Sequence, residues 1–292
     1  MIVAASVPAT CGEFFQGSLD GEPCLVSCPI AVTSTARAGG AAGSRALPPK
    51  SRRAVAALDL PDFGPPAVTL TRRLPVGRGY GTSTADLGAV LHAVSGAAGR
   101  PLDAMGAARI AIGVEPSDST LLPGIALLDH RAGRFHRVLG EPLDAAVLVL
   151  DAGGTVDTAA FNRHDWRPIL ARLAPLHRDA FELLETGFRE RDLAKVGTAA
   201  TMSAVTHEAI LPNPLLHRAL ALARRVGALG VCRAHSGTVI GLLLPPADDE
   251  VARAMARVRD GLPASVRVWR TGLVGGGPRV HAQSAPDARR FA

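Results

Sequence analysis

Lysine is almost missing from this 292-residue chain: Lys50 and Lys195 are the only two among 32 basic residues. The formal net charge of +6 therefore rests on arginines, scattered without a run of five or more. Aromatic residues make up 4%, with one Tyr and two Trp, so stacking platforms are few. These scarcities argue against a nucleic-acid partner, while a basic surface still suits an anionic small molecule. No apolar run reaches the ~18 residues of a membrane span, and no early stretch has the layout of a signal peptide. A soluble, cytoplasmic protein is expected. Of the four cysteines, Cys24 and Cys28 have ligand-like spacing, but no second Cys or His pair completes a zinc site. Reduced, partly buried thiols are expected instead.

What the chain does have is a glycine loop running into a helix, from Leu74 to Leu91. Pro75 stops the preceding segment. Gly77, Gly79 and Gly81 then free the backbone to take positive φ. Leu87, Val90, Leu91 and Val94 fall on one helical stripe, and Thr82, Ser83 or Thr84 can cap the helix start. Such a loop, with unpaired N–H groups and the positive end of a helix dipole, is an anion site and most often a phosphate site.

Several familiar glycine loops are excluded. A Walker A loop needs a lysine before its Ser/Thr, and none stands here. The dinucleotide fingerprint needs a glycine where Thr82 sits. Protein kinases carry His-Arg-Asp and Asp-Phe-Gly signatures, both absent. A nucleophile elbow needs a glycine after the serine and a strand directly before it, whereas a Pro/Gly loop precedes Ser83.

The remaining pattern, Pro75 followed by Gly79-Tyr80-Gly81-Thr82-Ser83-Thr84, resembles the second motif of the GHMP kinase superfamily, usually Pro-x3-Gly-Leu-Gly-Ser-Ser-Ala. Two further segments stand in the family's motif order. Pro8-Ala9-Thr10-Cys11-Gly12-Glu13-Phe14-Phe15-Gln16-Gly17 holds the place of the first motif, with Thr10 where a basic residue is usual. Ala234-His235-Ser236-Gly237 holds the place of the third. The Cys-Gly-Glu-x-x-Gln-Gly form, with Glu115-Pro116-Ser117-Asp118-Ser119 and Leu128-Asp129-His130, is similar to one branch, the L-threonine kinases of the cobalamin pathway.

Between these motifs, residues 1–32 read as two strands with a turn at Asp20-Gly21, and Val68–Thr71 as a strand feeding the loop. Residues 33–66 are rich in Ala, Gly, Ser, Arg and Pro and read in part as mobile loop. Helices are expected over 84–98 and near 103–112, and a buried strand over 147–151. After a boundary near 150 come helical patterns from Trp166 to about 208, over 215–228 and near 249–260. Strands are expected at 239–244 and 266–269, and a tail after Ser284.

The resemblance implies an α+β fold in two parts, a ribosomal S5 domain 2-like half (1–150) that binds the nucleotide and a ferredoxin-like half (151–292). It implies ATP and Mg²⁺ as cofactors and a small hydroxylated amino acid as acceptor, with neither nucleic acid nor membrane as partner; a homodimer is left open. Pro75, Gly77, Arg78, Gly79, Tyr80, Gly81, Thr82, Ser83, Thr84, Ser236 and Gly237 would hold the nucleotide. Ser83 and Glu115 would ligate Mg²⁺, Asp118 would act as base, and Glu13, Gln16 and Gly17 would hold the acceptor. Arg78 stands as the candidate to meet the γ-phosphate charge. A kinase for homoserine or serine, a non-catalytic nucleotide- or RNA-binding S5-like module, and a serine hydrolase using Ser83 remain alternatives.

Overall fold

Alternating small and β-branched residues at the start of the chain make one long antiparallel hairpin, β1 (Ile2–Leu19) and β2 (Glu22–Ala38). Asp20 and Gly21 between them both have positive φ, 52° and 83°, as a two-residue type I′ turn requires. The computed structural model describes residues 2–39, 46–60, 67–155 and 164–283. The hairpin register slips between Pro8 and Thr10, Thr10 and Glu13, and Glu13 and Phe15. Bulges of this kind bend a strand and re-aim its side chains, and they gather beside functional sites.

Eight of the strands follow one another in the order β5-β4-β2-β1-β7-β8-β6-β9, while β3 (Val68–Thr71) pairs with β2 and β10 (Arg279–Gln283) with β1. The others are β4 (Ile125–Leu128), β5 (His136–Gly140), β6 (Ala146–Asp151), β7 (Gly230–Arg233), β8 (Ile240–Leu244) and β9 (Arg267–Gly272). Every pairing is antiparallel. The later part has the connectivity of a ferredoxin-like unit. Strand β6 leads through helices to β7 and β8, then through a further helix to β9, in the spatial order 7-8-6-9. The fold is α+β.

Seven helices are present among the described residues: α1 (Pro49–Ala56), α2 (Thr82–Ala97), α3 (Ala104–Val114), α4 (Arg167–Glu190), α5 (Leu193–Thr206), α6 (Leu216–Val226) and α7 (Asp248–Asp260). Helix α2 is buried on every side from Thr84 to Ser95, where one apolar stripe was expected. It lies between the hairpin and its neighbours, and Gly88 lets it close on Leu121 and Val7. Three apolar clusters form the core: one under α2 and α3, one between the hairpin and α4–α5, and one under α6 and α7. All four cysteines are free and fully buried.

Parts of the 33–66 stretch, expected to be loop only in part, are regular. Strand β2 continues to Ala38, and α1 follows, with Ser51 and Ala54 buried. Small residues pack closely here without presenting the large apolar side chains that periodicity detects. Residues 40–45, 61–66 and the expected tail after Ser284 lie outside the described residues. Four short strands, β4, β5, β7 and β10, were also not anticipated. Each is four or five residues long. Strands β4, β7 and β10 take distant partners in β2 and β1 that no local pattern marks, while β5, among the described residues, pairs only with β4.

Candidate active site

The loop before α2 turns on the three expected positive φ values, 83° at Gly77, 92° at Gly79 and 58° at Gly81. Gly81 is the N-cap of α2, and no side chain caps that helix. Each hydroxyl expected to do so is engaged elsewhere. Thr82 donates to the Pro75 carbonyl at 3.0 Å, Ser83 donates to the Glu115 carboxylate, and Thr84 accepts from the Asp118 N–H at 3.2 Å. The first-turn N–H groups of α2 are thus left for a ligand, and the helix dipole favours an anion there.

Backbone contacts fix the loop from below. Thr10 and Gly12 of β1 donate N–H groups to the Tyr80 and Gly79 carbonyls at 2.8 and 3.1 Å. From the other side Thr238 and Val239 donate to the Arg78 carbonyl at 2.9 and 3.1 Å. Gly237 approaches so closely that an added Cβ would stand 2.4 Å from the Gly79 nitrogen. The Tyr80 hydroxyl and Arg78 guanidinium both donate to Asp151, at 3.0 and 3.1 Å. Asp151 therefore anchors the loop from the end of β6. Sequence reading missed it, though an acid at a strand end before Gly153-Gly154 was a usable signal.

A cavity of about 120 Å³ lies over this loop. It gathers Gly77, Gly79, Tyr80, Gly81, Thr82, Ser83 and Thr84 with Ser236, Glu115, Asp118, Glu13 and Gln16. Gly17 lies in an adjoining cavity, and Gly237 buttresses the loop from behind. Lys50, at the start of α1, also lines the space and pairs with Glu115. Nothing in the sequence reading marked it except that it is one of two lysines.

The acids differ in environment. Glu13 is buried, and its Oε2 accepts the His235 N–H at 2.9 Å and faces His235 Nδ1 at the same distance. Burial pushes its carboxyl up to about 8, so it is largely protonated at neutral pH. Burial, with Glu13 nearby, pushes Asp118 up to about 7. A carboxyl poised near neutrality is suited to accepting a proton. Thr10 Oγ1 is buried without a hydrogen-bond partner among the described residues. A Cβ on Gly81 would lie 2.9 Å from both this oxygen and Asp118 Oδ2. The loop is thus shaped for a group pressed against its backbone. Ser83 and Glu115 supply hard oxygens, and Mg²⁺ needs few of these because it keeps several waters.

A family profile described as GHMP kinases N terminal domain matches residues 51–122, which contain the loop, α2 and Asp118. An L-threonine kinase of Citrobacter freundii is 31% identical over 250 residues, 83% of this chain and 86% of that protein. The chain belongs to the GHMP kinase family. A second GHMP kinase relative, the L-threonine kinase of Salmonella typhimurium (strain LT2), is 29% identical over 266 residues, 89% of this chain and 88% of that protein. The GHMP kinase fold is seen directly in the homoserine kinase of Cytophaga hutchinsonii ATCC 33406. It superposes with a TM-score of 0.67 at 17% identity over 96% of this chain and 97% of that one. Like other GHMP kinases, this chain is a phosphotransferase with a hydroxyl acceptor. Among the described residues no helix is long and apolar enough to cross a membrane.

Proposed function

We propose that the protein transfers the γ-phosphoryl group of ATP to the side-chain hydroxyl of L-threonine, giving O-phospho-L-threonine for cobalamin biosynthesis in the cytoplasm. The observation that carries this reading is the uncapped start of α2, facing Ser83, Glu115 and a near-neutral Asp118 across one small cavity. Similarity to two L-threonine kinases over most of the chain supports the acceptor. On this reading residues 1–150 form the nucleotide-binding half and 151–292 the half that closes the site.

Phosphoryl transfer asks the protein mainly for positioning and charge neutralisation. The N–H groups of Gly79, Gly81, Thr82 and Ser83 hold the β- and γ-phosphates. Gly77 and Ser236 border them, and Pro75, Arg78, Tyr80, Thr84 and Gly237 keep the loop in shape. Ser83 and Glu115 hold Mg²⁺, which when bound neutralises phosphate charge. Asp118 orients the acceptor hydroxyl and takes its proton. Glu13, fixed by His235, helps hold Asp118 near neutrality, so the two carboxyls titrate as a pair.

Lys50 supplies the cation missing at Thr10: it lines the cavity, whereas Arg78 does not and is tied to Asp151. Lys50→Met should lower kcat by about 10²-fold, in the range found when one transition-state donor is removed. Thermal stability should be unchanged, since the Lys50 side chain is 46% exposed. Steady-state kinetics beside a melting curve would check this, and a kcat within about twofold of wild type would remove Lys50 from the chemistry. Ser83→Ala should cost at least about tenfold in kcat/KM for Mg·ATP, as loss of metal-site contacts does. Unchanged turnover across a magnesium titration would take Ser83 out of the metal site.

The reading as a whole is tested by ADP release with Mg·ATP against L-threonine, L-serine, L-homoserine and sugar alcohols. Turnover with threonine giving phosphothreonine supports it. Turnover with homoserine or serine alone would keep the mechanism and replace the acceptor. Absence of ATP binding would overturn it.

A further inference from the structure

Next to the phosphate cavity lies a second one of about 190 Å³, and Gln16 and His130 line both. It is smaller than the ~300–1,000 Å³ typical of drug-sized ligands. Two groups in it lack partners. His130 is only 6% exposed, yet its Nδ1 has no hydrogen-bond partner among the described residues. Burial, and then the neighbouring Arg131 charge, push its imidazole down to about 4, so at neutral pH it is uncharged and offers a lone pair. The Arg131 guanidinium borders the same cavity and has no ion-pair partner among the described residues.

The surrounding structure fixes both groups. Asp129 accepts N–H groups from Arg131, Ala132 and Arg134 at 3.2, 3.0 and 3.2 Å, which ties down the turn that carries Arg131. Arg167, across the cavity, is neutralised by two bonds to Asp165 at 2.8 and 2.9 Å. Arg131 is therefore the available positive charge, and beside it stands a buried acceptor without a donor. A carboxylate and an ammonium on one carbon atom match that pair.

We propose that this second cavity holds the α-carboxylate and α-ammonium of the acceptor, with Arg131 pairing the carboxylate and His130 Nδ1 accepting from the ammonium. The side chain then passes between Gln16 and His130 into the phosphate cavity, where its hydroxyl meets Asp118. The proposal rests on the kinase reading above. It assigns the acceptor class, small α-amino acids with a side-chain hydroxyl, to residues outside the family's three loop motifs.

The test compares kcat/KM for L-threonine and L-threoninamide, which keeps the hydroxyl and ammonium but not the carboxylate charge. Wild type should prefer threonine by roughly 10²-fold or more, because a site built around a charge rejects its neutral analogue. Arg131→Gln should raise KM for threonine about 30-fold or more, as truncating one partner of a bonded charge pair does. The KM for Mg·ATP should stay within about twofold, the preference over the amide should collapse, and Arg131→Lys should restore part of it. If wild type phosphorylates threonine and Arg131→Gln leaves its KM within about threefold, the assignment of Arg131 is overturned and the kinase reading stands. If wild type phosphorylates only neutral alcohols, both fall together.

Discussion

Asp118→Asn should lower kcat by about 10²–10⁴ while Mg·ATP affinity stays within about threefold, the effect of removing a positioned general base. The carboxyl is held up to about 7 by burial and by Glu13, so in the wild type kcat/KM should rise with pH up to about 7 and then level. That limb should vanish in the variant. Because Glu13 and Asp118 interact, the observed value will belong to the pair. Stability should move the other way. Between about pH 4 and 7 the folded state keeps a proton that the unfolded chain releases. The stabilising contribution is therefore full below about 4 and is lost as pH rises through 7. Asparagine does not ionise, so Asp118→Asn should melt above wild type at pH 8. Asp118 stands at the N-cap of the 3₁₀ turn Ser119–Leu121, but its side chain makes no capping bond. A merely structural residue would give a lower melting temperature and a loss of turnover under about tenfold, ~1.4 kcal/mol.

Gly237→Ala should cost about 10²-fold in kcat/KM for Mg·ATP without abolishing folding. The added methyl would stand 2.4 to 2.5 Å from the Gly79 nitrogen and the Arg78 carbonyl group. Ordinary contact needs about 1 Å more, and a displacement of about 1 Å at a reacting centre can cost 10²-fold. The clash falls on backbone on both sides, so rotamer changes cannot relieve it. Far-ultraviolet circular dichroism should match wild type while nucleotide binding by calorimetry weakens. Binding within about threefold of wild type would show that the third motif does not shape the loop.

The loop and its helix were legible because their signals are local: alternating glycines, three hydroxyl residues and an apolar stripe within eighteen positions. Glu115 and Asp118 were legible as acids in a short non-helical segment. What the three hydroxyls do was not legible, since the choice between capping α2 and bonding Glu115 or Pro75 depends on groups brought in by tertiary packing. Lys50 was hidden in a stretch of small residues whose helix packs against α2 and α3. Asp129 stood out only as part of the Leu128-Asp129-His130 resemblance; it ties a turn, and the two residues after it line the second cavity. Glu13 was read as one of the residues that would hold the acceptor. Its hydrogen bonds to His235, in the loop after β7 and 222 residues away in sequence, are set by tertiary packing that local pattern does not reveal.

Strand β1 carries Thr10, Gly12 and Glu13, yet besides β2 its neighbours are β7 and β10, through pairs such as Glu13 with Arg233 and Ile2 with Gln283. During synthesis the hairpin emerges early, and about 240 residues separate Ala38 from Arg279 of β10. At ~5–20 residues per second that interval is roughly 10–50 s, during which one edge of the hairpin waits for strands not yet made. The nascent chain should therefore bind no nucleotide until β7 has left the ribosome, and its early hairpin is the segment most in need of a chaperone.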